Sequence, residues 1–313
     1  MKRKPASEGA DYSVLEATVP AALGGLRLDQ ALVRLFPQYS RNRLQAWLKA
    51  GHIRVDGAAG AAKQPVSGGE HVGLAPPLPP TGAAPQAQRM PLSIVHEDRD
   101  LIVIDKPAGL VVHPGAGVPD RTLMNALLAH CPALAAVPRA GIVHRLDKDT
   151  SGLMVVAKNV TAQANLVKQL AERSVRRVYL AVVHGEPPLG GTIDAPVGRD
   201  ARVRTRMTVS QRGKQARTSY RVLERYGRAT LVECRLETGR THQIRVHFQH
   251  IHHPLLGDPV YRRGARGTLS FPRQALHACE LSLIHPRSGR AMSWRAPLPQ
   301  DMRRLIEALR AGQ

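Results

Sequence analysis

The stretch Gly141-Ile-Val-His-Arg-Leu-Asp-Lys-Asp-Thr-Ser-Gly-Leu-Met-Val-Val-Ala-Lys158 decides how this chain folds. Its second half, Leu153 to Ala157, is a continuous apolar run, which is typical of a strand buried on both faces of a sheet. Its first half is a polar turn that carries two carboxylates, Asp147 and Asp149, and two flanking cations. We therefore expect a carboxylate at the edge of a sheet, in a partly dry place where neighbouring cations keep it ionised.

The composition indicates a folded protein with a polyanionic partner. The chain has 313 residues, enough for one large domain and a small one. Its formal charge is +21, because it contains 45 Lys and Arg but only 24 Asp and Glu. A folded protein this basic usually binds nucleic acid. Codon bias in a GC-rich genome would raise Arg and Ala together, but it would not remove acidic residues.

Two further features bear on the cellular compartment. The cysteines at positions 131, 234 and 279 are far apart, so neither a disulfide framework nor a zinc site is expected. The basic N-terminus, Met1-Lys-Arg-Lys-Pro5, is not followed by an apolar stretch, so we expect neither a signal peptide nor a membrane span. These features predict a soluble, cytoplasmic protein, and nothing in the sequence indicates a dimer, so we expect a monomer.

The chain divides into four predicted segments. Residues 1–17 are polar and are expected to form a flexible tail. Residues 18–75 are a small module, in which helical spacing predicts one helix over 27–36 and a second over 41–50. Residues 76–91 contain six prolines and are predicted to be a semi-rigid linker. Residues 92–313 form the larger domain.

The larger domain is predicted to be α+β. Apolar runs predict strands at Leu101–Ile104, Leu153–Ala157, Val178–Val183, Leu231–Leu236 and His242–Phe248. Helical periodicity predicts helices at Thr122–His130, Ala162–Arg173 and Pro299–Arg310. Because helices do not separate the strands regularly, a mixed sheet is expected rather than a doubly wound one.

Clustered arginines predict a surface that binds a phosphate backbone. Arg202, Arg204 and Arg206 alternate, so on an extended strand they would project to the same side as a cationic stripe. The loop at 262–266 adds three more arginines. The guanidinium fork binds two phosphate oxygens at once, so such a surface would position a backbone without reading its sequence.

Two residues outside the acidic turn are candidates for the reactive site. On the predicted strand over 242–248, within the stretch Glu237–Phe248, Arg245 faces away from the apolar side and is well suited to support a carboxylate. Tyr179 lies in an apolar run and is either an ordinary core tyrosine or a ring on which a base can stack. The histidines at 242, 247, 250, 252 and 253 lack the spacing of a metal site, so no metal is expected.

The larger domain resembles the RluA-type pseudouridine synthases. The similar stretches run in order along the chain and comprise Asp105–Gly117, Asn125–Leu128, Gly141–Lys158, Arg177–Ala181, Glu237–Phe248, Gly257–Tyr261 and Arg273–His277. Family members often carry Asn where this chain has Asp105. The small module, with Arg27-Leu-Asp29 and Gly51-His-Ile-Arg-Val-Asp-Gly57, resembles the S4 RNA-binding domain, an α/β module.

The resemblance implies a pseudouridine-synthase fold, with a mixed and largely antiparallel central sheet, and an isomerase that turns uridine into pseudouridine in RNA. Asp147 matches the essential carboxylate, Arg145 the residue that fills the gap left by the flipped uridine, Tyr179 the stacking ring and Arg245 the partner of the carboxylate. In the small module, Arg41, Arg43 and Lys49 are expected to contact RNA. The implied substrate is 23S rRNA or a large-subunit particle, at the stem-loop of the intersubunit bridge, and no cofactor is needed.

Other interpretations stay open at this point. A C-type synthase of the same family would act on other large-subunit uridines. A ribosome-assembly factor that only binds RNA would share the basic surface but would not need the set Asp147, Tyr179 and Arg245. An RNA glycosidase would usually need two opposed carboxylates and a water, and only Asp147 is convincing, because Asp149 reads as a turn-stabilising residue.

Overall fold

The computed structural model describes residues 14–37, 39, 41–75, 86–115, 117–203, 205–261 and 270–312. The chain divides into two compact units, Met1–Ala84 and Pro85–Gln313. Several predicted features lie outside the described residues: most of the tail, the proline-rich part of the linker, Arg204 and the basic loop at 262–266. None of the described helices is long and apolar enough to cross a membrane.

The small unit is a four-stranded antiparallel sheet with two helices. Its elements are β1 (Leu15–Thr18), α1 (Leu28–Leu35), α2 (Arg41–Lys49), β2 (Ile53–Val55), β3 (Ala58–Ala59) and β4 (His71–Leu74), and the strand order is β1-β4-β2-β3. The turn between β2 and β3 has positive φ at both Asp56 and Gly57, the conformation that a tight two-residue hairpin requires. The apolar faces of α1 and α2 pack with β2 and β4 into one core.

The predicted flexible tail over 1–17 is wrong at its C-terminal end. Residues Leu15–Thr18 pair with β4, from Leu15 opposite Leu74 to Thr18 opposite His71. The side chains of Leu15 and Ala17 lie on the same face of the strand and pack against the core of the small unit. Their burial stabilises the extended conformation. The polar composition of the preceding residues hid this short period-two pattern.

The larger unit has strands β5 to β15 and helices α3 to α6. The strands are β5 (Ile94–Glu97), β6 (Leu101–Lys106), β7 (Ser151–Ala157), β8 (Arg176–His184), β9 (Gly190–Asp194), β10 (Val197–Arg199), β11 (Met207–Val209), β12 (Arg217–Arg225), β13 (Ala229–Leu236), β14 (Leu276–Ile284) and β15 (Ala291–Arg295). The helices are α3 (Leu123–His130), α4 (Val160–Ala171), α5 (Gln243–His250) and α6 (Gln300–Arg310), with short 3-10 turns at Pro132–Ala136 and Pro138–Gly141. A further 3-10 turn, Ala21–Leu23, belongs to the small unit.

One large mixed sheet organises this unit and confirms the predicted α+β class. Its order is β5-β6-β7-β14-β8-β13-β12-β9, with β15 added along β14, and within the described residues only the β7–β14 pairing is parallel. Strand β7 is buried at every position. Met154 and Val156 belong to the core on one face of the sheet, and Leu153 and Val155 to the core on the other. The continuous apolar run therefore marks a central strand, as predicted.

The predicted strand over 242–248 is wrong, because the segment forms helix α5. Ile244 and Phe248 are four residues apart, a spacing that fits a helix as well as a strand, and both enter the main core. Val246 packs in a separate cluster around Tyr261. Burial of six consecutive residues, from Gln243 to Phe248, decides in favour of a helix that is enclosed on all sides.

Two further expectations are corrected. Residues 200–203 and 205–206 lie outside the strands, between β10 and β11, and Asp200 accepts backbone N–H bonds from Arg202 and Val203, so Arg202 and Arg206 do not share a strand. The predicted linker over 76–91 is too long at its C-terminal end, because residues from Gln86 onwards already belong to the larger unit. Gln86 and Gln88 already bond to Asn125 of α3, through Asn125 Nδ2 to Gln86 O at 2.8 Å and Gln88 N to Asn125 O at 3.0 Å.

Candidate active site

A cavity of about 380 Å³ in the larger unit collects four of the predicted site residues. Arg145, Asp147, Tyr179 and Arg245 all line it. They come from the turn before β7, from β8 and from α5, so residues almost 100 positions apart meet in one place. The volume lies in the range of small-molecule pockets, roughly 300 to 1,000 Å³.

The turn that carries Asp147 is held by cations that bond to its backbone. The buried Lys106 donates from Nζ to Lys148 O at 2.9 Å, and Arg273 donates from Nη1 to Asp149 O at 3.0 Å. Gly152 then lets β7 pass close to β14, since a Cβ there would overlap the carbonyl of Ala278 and its φ is +113°. These contacts give the turn a defined conformation at the edge of the sheet.

Lys106 is the most deeply buried of these cations. It is 1% exposed and also donates to Pro107 O at 2.7 Å and Leu110 O at 2.9 Å. Burial lowers the pKa of Lys106 to about 7, and the acidic turn opposes that shift. Three carbonyl acceptors require three N–H groups, so the hydrogen bonds select the ammonium form.

Arg245 joins two carboxylates. Its Nη1 donates to Asp147 Oδ2 at 2.9 Å, and its Nε and Nη2 donate to Asp258 at 2.6 and 2.9 Å. Burial opposes the charge of Arg245, but the hydrogen bonds that it donates to Asp258 and the attraction to Asp147 outweigh burial and raise the pKa of Arg245 above the ordinary value. Since Asp258 is fully buried and Asp147 is 16% exposed, only Asp147 of the pair faces the cavity.

His242 and Tyr261 lie on the other side of Asp147. His242 precedes α5 in the left-handed conformation, with φ of 56°, and its Nε2 is 3.7 Å from Asp147 Oδ1. Its Nδ1 is 2.8 Å from Tyr261 Oη, which also accepts a bond from Met207 N at 2.9 Å. Burial lowers the pKa of His242 in spite of Asp147, so the imidazole is neutral at pH 7.

Tyr179 projects from β8 into the cavity and is 5% exposed. Burial raises its pKa to about 12; the nearby Arg177 opposes this, and the charge of Asp147 adds to it. The phenol is therefore protonated at neutral pH. Its ring is available as an apolar surface beside the ion pair of Asp147 and Arg245.

The other predicted RNA contacts are not part of this cavity. Arg202 is exposed between β10 and β11, and Arg206 stacks over the Tyr261 ring at 5.4 Å. In the small unit, Arg41 donates to Asp29 at 2.7 Å, Arg43 lies over the Trp47 ring at 5.6 Å, and Lys49 is exposed at the end of α2. Arg41 is thus partly committed to an internal ion pair, although 49% of its side chain remains exposed.

The described part of the chain contains one group with metal-ligand geometry, Asp98, Asp100 and His285. Arg287 binds Asp100 through two bonds at 2.6 and 2.8 Å, and His285 and His96 each lie 3.0 Å from Asp98. These partners use the carboxylate oxygens, so the group is an ion-pair cluster that ties the turn between β14 and β15 to the turn between β5 and β6.

Sequence reasoning missed four residues that build the site: Lys106, Asp258, Tyr261 and His242. Asp258 and Tyr261 stand in the Gly257–Tyr261 stretch, which carried the resemblance but suggested no role. His242 was assigned to a strand, where it would have pointed away from Arg245. Only the helix at 243–250 brings His242 and Arg245 to the same side of Asp147.

The fold and the cavity define the class of pseudouridine synthases. Residues 100–250 match the family model of RNA pseudouridylate synthases, and residues 26–72 match the S4 domain. The structure is similar to that of human RNA pseudouridylate synthase domain containing 4, with a TM-score of 0.57 and 27% identity over 70% of this chain and 93% of that one.

Two curated relatives are similar over nearly their whole length. The ribosomal large subunit pseudouridine synthase D of Nitrosomonas europaea is 54% identical, over 98% of this chain and 92% of the relative. The protein of the same name from Xanthomonas campestris pv. campestris is 52% identical, over 97% and 95%. The chain belongs to the RNA pseudouridylate synthase family, in the group of the ribosomal large subunit pseudouridine synthases D. It is an enzyme, so the interpretation as a protein that only binds RNA is set aside.

Proposed function

We propose that this enzyme isomerises specific uridines of 23S rRNA, in the stem-loop at the intersubunit bridge, with Asp147 as the catalytic carboxylate. The observation that carries the assignment is the 2.9 Å bond between Asp147 and the buried Arg245 at the wall of a nucleotide-sized cavity. The names of the curated relatives support the substrate class, and the S4 match supports RNA binding by the small unit.

The target base has to leave the helix before it can react. Atoms of the ribose at C1′ and of the base at C5 are inaccessible inside a stack, and everting a nucleotide costs a few kcal/mol. Arg145 is exposed at the mouth of the cavity, where its side chain can occupy the gap left in the RNA. Tyr179 offers its ring to the everted base, because every base has a face that stacks on an aromatic side chain.

The chemistry then takes place against Asp147. The N1–C1′ bond breaks, the base turns, and a C5–C1′ bond forms; the proton leaves C5 and N1 gains one, so the composition of the RNA is unchanged. No oxidant, reductant or water is consumed. Arg245 holds the carboxylate in place and supplies a fixed positive charge in a dry site, where such electrostatic preorganisation is most effective.

The small unit and the remaining arginines are proposed to supply binding energy. Arg41, Arg43 and Lys49 of α2, and Arg202, Arg204 and Arg206 of the larger unit, would meet phosphates of the rRNA or of a large-subunit particle. We infer that the enzyme acts as a cytoplasmic monomer. No metal and no small-molecule cofactor take part in this proposal.

The variants Asp147→Asn and Asp149→Asn test the assignment. Asp149 is half-buried in the same turn but does not line the cavity, so it is a matched control. We expect Asp147→Asn to bind rRNA like the parent and to release no tritium from RNA labelled at uridine C5. Asp149→Asn should retain substantial turnover. Tritium release by Asp147→Asn near the parent rate would refute the role of Asp147.

A further inference from the structure

Arg177 is a buried cation with no anionic partner among the residues that the structure describes. Its side chain is 7% exposed, and its Nε has no hydrogen-bond partner among the described residues. No carboxylate in the described part of the chain forms an ion pair with it, in contrast to Arg245, which has two. A buried guanidinium that lacks a counter-charge is strongly destabilising, and a bound anion would offset that cost.

The side chain faces the cavity from the same strand as Tyr179. Positions 177 and 179 are two residues apart on β8, so both side chains project to one face of the sheet, and both line the cavity. Two residues of strand span about 7 Å. That is the scale of a single nucleotide, so a base stacked on Tyr179 would have its sugar-phosphate within reach of Arg177.

Gly239 leaves the space that the guanidinium occupies. A Cβ at this position would lie 2.7 Å from Arg177 Nη1. Gly239 is exposed and its φ lies outside the left-handed region, so the backbone there does not itself require glycine. The absence of a side chain at 239 therefore keeps the guanidinium of Arg177 close to the mouth of the cavity.

The surroundings favour an anionic ligand. Arg139, Arg145 and Arg240 line the same cavity, while Asp147 is already paired with Arg245. Burial lowers the pKa of Arg177, which reflects the missing counter-charge. Uracil is uncharged at neutral pH, so the anionic part of a bound nucleotide is its phosphate, and a guanidinium fork can bind two of its oxygens.

We propose that Arg177 binds a phosphodiester that flanks the target uridine and so seats the everted nucleotide between Tyr179 and Asp147. This inference rests on the proposed function, because it takes the nucleotide to lie at Asp147. Arg177 acts on the position of the substrate, and the reaction at the ribose and base remains with the cavity residues already described.

The test combines protein variants with a neutral linkage in the RNA. Single-turnover rates are measured for the parent, Arg177→Gln and Gly239→Ala on a stem-loop RNA, and on the same RNA with a methylphosphonate 5′ or 3′ of the target uridine. A hydrogen-bonded charge contact corresponds to about a 10- to 100-fold loss of kcat/KM, and we expect this for Arg177→Gln on the native RNA. Gly239→Ala should cause a smaller loss, because the new methyl group displaces a flexible side chain.

The neutral linkage distinguishes a phosphate contact from a structural role. At one of the two positions, the methylphosphonate should lower the rate of the parent about as much as Arg177→Gln lowers the rate on native RNA. The same linkage should not lower the rate of Arg177→Gln any further. Arg177→Lys should recover part of the rate on native RNA, and Arg304→Gln, an exposed change on α6, should behave as the parent.

Two results would overturn the proposal. The first is full activity of Arg177→Gln on native RNA. The second is a loss in Arg177→Gln, relative to the parent on the same RNA, that is equally large on native RNA and on both neutral linkages. Either result leaves the assignment of Asp147 intact, provided that Asp147→Asn is inactive. An active Asp147→Asn would instead remove the proposed function on which the inference rests.

Discussion

Asp258 binds Arg245 through two hydrogen bonds and thereby fixes the guanidinium that reaches Asp147. The bonds run from Nε and Nη2 of Arg245, at 2.6 and 2.9 Å, and Asp258 Oδ1 also accepts the backbone N–H groups of Val260 and Tyr261. Asp258 is fully buried. The carboxylate of Asp258 thus connects the loop after α5 to the turn of Asp147 through a single arginine.

Replacing Asp258 by Asn should impair both folding and catalysis. The amide nitrogen of Asn would face an N–H donor, and a buried arginine would lose one of its two counter-charges. We expect a loss of about 3 to 5 kcal/mol in the free energy of unfolding. Where the variant is folded, kcat should fall by about 100-fold with little change in KM, since the bond to Asp147 is displaced.

Urea unfolding and single-turnover kinetics measure the two effects of Asp258→Asn. Glu224→Gln is the matched control, because Glu224 accepts a similar pair of bonds from Arg310 at the surface, at 2.8 and 2.7 Å. Such an exposed pair contributes about 1 kcal/mol or less. A folded Asp258→Asn with unchanged kcat would contradict the positioning role.

Tyr179 should contribute through its ring. Tyr179→Leu removes the stacking surface, and base–aromatic stacking is worth about 1 to 3 kcal/mol, so KM for the RNA should rise about 10- to 100-fold. Tyr179→Phe keeps the ring, and its KM should stay within about twofold of the parent. Steady-state kinetics on one stem-loop RNA compare the two, and equal KM values for Leu and Phe would argue against stacking.

The larger unit should lose stability as the pH falls below neutral. His277 is 1% exposed, its Nδ1 is 2.9 Å from Ser151 Oγ, and burial lowers its pKa from 6.5 to about 4. Above pH 6.5 the imidazole is neutral in both states. Between pH 6.5 and about 4 the unfolded chain binds the proton and the folded chain does not, so acid favours unfolding by up to roughly 3 kcal/mol.

Urea unfolding at pH 7.5 and pH 4.5 measures this contribution. His277→Gln should show a smaller loss of stability between the two values than the parent, and His250→Gln, at an exposed position, controls for removal of an imidazole. Burial would raise the pKa of Asp98, but hydrogen bonds outweigh it and lower the pKa to about 2. Protonation of Asp98 would therefore reduce stability only below about pH 4. An identical loss in His277→Gln and the parent would exclude His277 as the source.

Asp29 should control the RNA-binding face of the small unit. It is fully buried and accepts bonds from Arg27 at 3.1 Å, Arg41 at 2.7 Å and Gln45 at 2.6 Å. Asp29→Asn removes the charge that orients these side chains. We expect the small unit to lose about 1 to 3 kcal/mol of stability, because an acceptor of charged donors is lost.

The kinetic consequence of Asp29→Asn should appear in binding. KM for long rRNA fragments should rise, while the single-turnover rate at saturating RNA stays as in the parent, since the reacting residues lie in the larger unit. Glu16→Gln, an exposed change in the same sheet, serves as the control. A reduced rate at saturation with an unchanged KM would contradict this division of roles.

Much of the fold could be predicted because its signals are local. The apolar run before Lys158 and the helical spacing in the small module depend on neighbouring residues, and their elements were found within a few positions. The segment 243–250 was predicted as a strand because the spacing of Ile244 and Phe248 fits the period of a strand as well as that of a helix. The arginines at 202 and 206 lie in a loop because the Asp200 carboxylate accepts hydrogen bonds from the backbone N–H groups of Arg202 and Val203. The alternation of arginines in the sequence does not reveal these bonds.

The sequence by itself determined which groups we propose as reactive: a carboxylate in a turn ahead of a buried strand, an arginine in the Glu237–Phe248 stretch and a tyrosine in an apolar run. Only the tertiary structure decided their partners. Asp258 reaches Arg245, Lys106 holds the turn of Asp147, and Arg177 lies two strand positions from Tyr179 with no anion beside it among the described residues. The sequence specifies the chemistry of each side chain. Burial, charge pairing and the shape of a cavity depend instead on distances between segments that only the folded chain brings together.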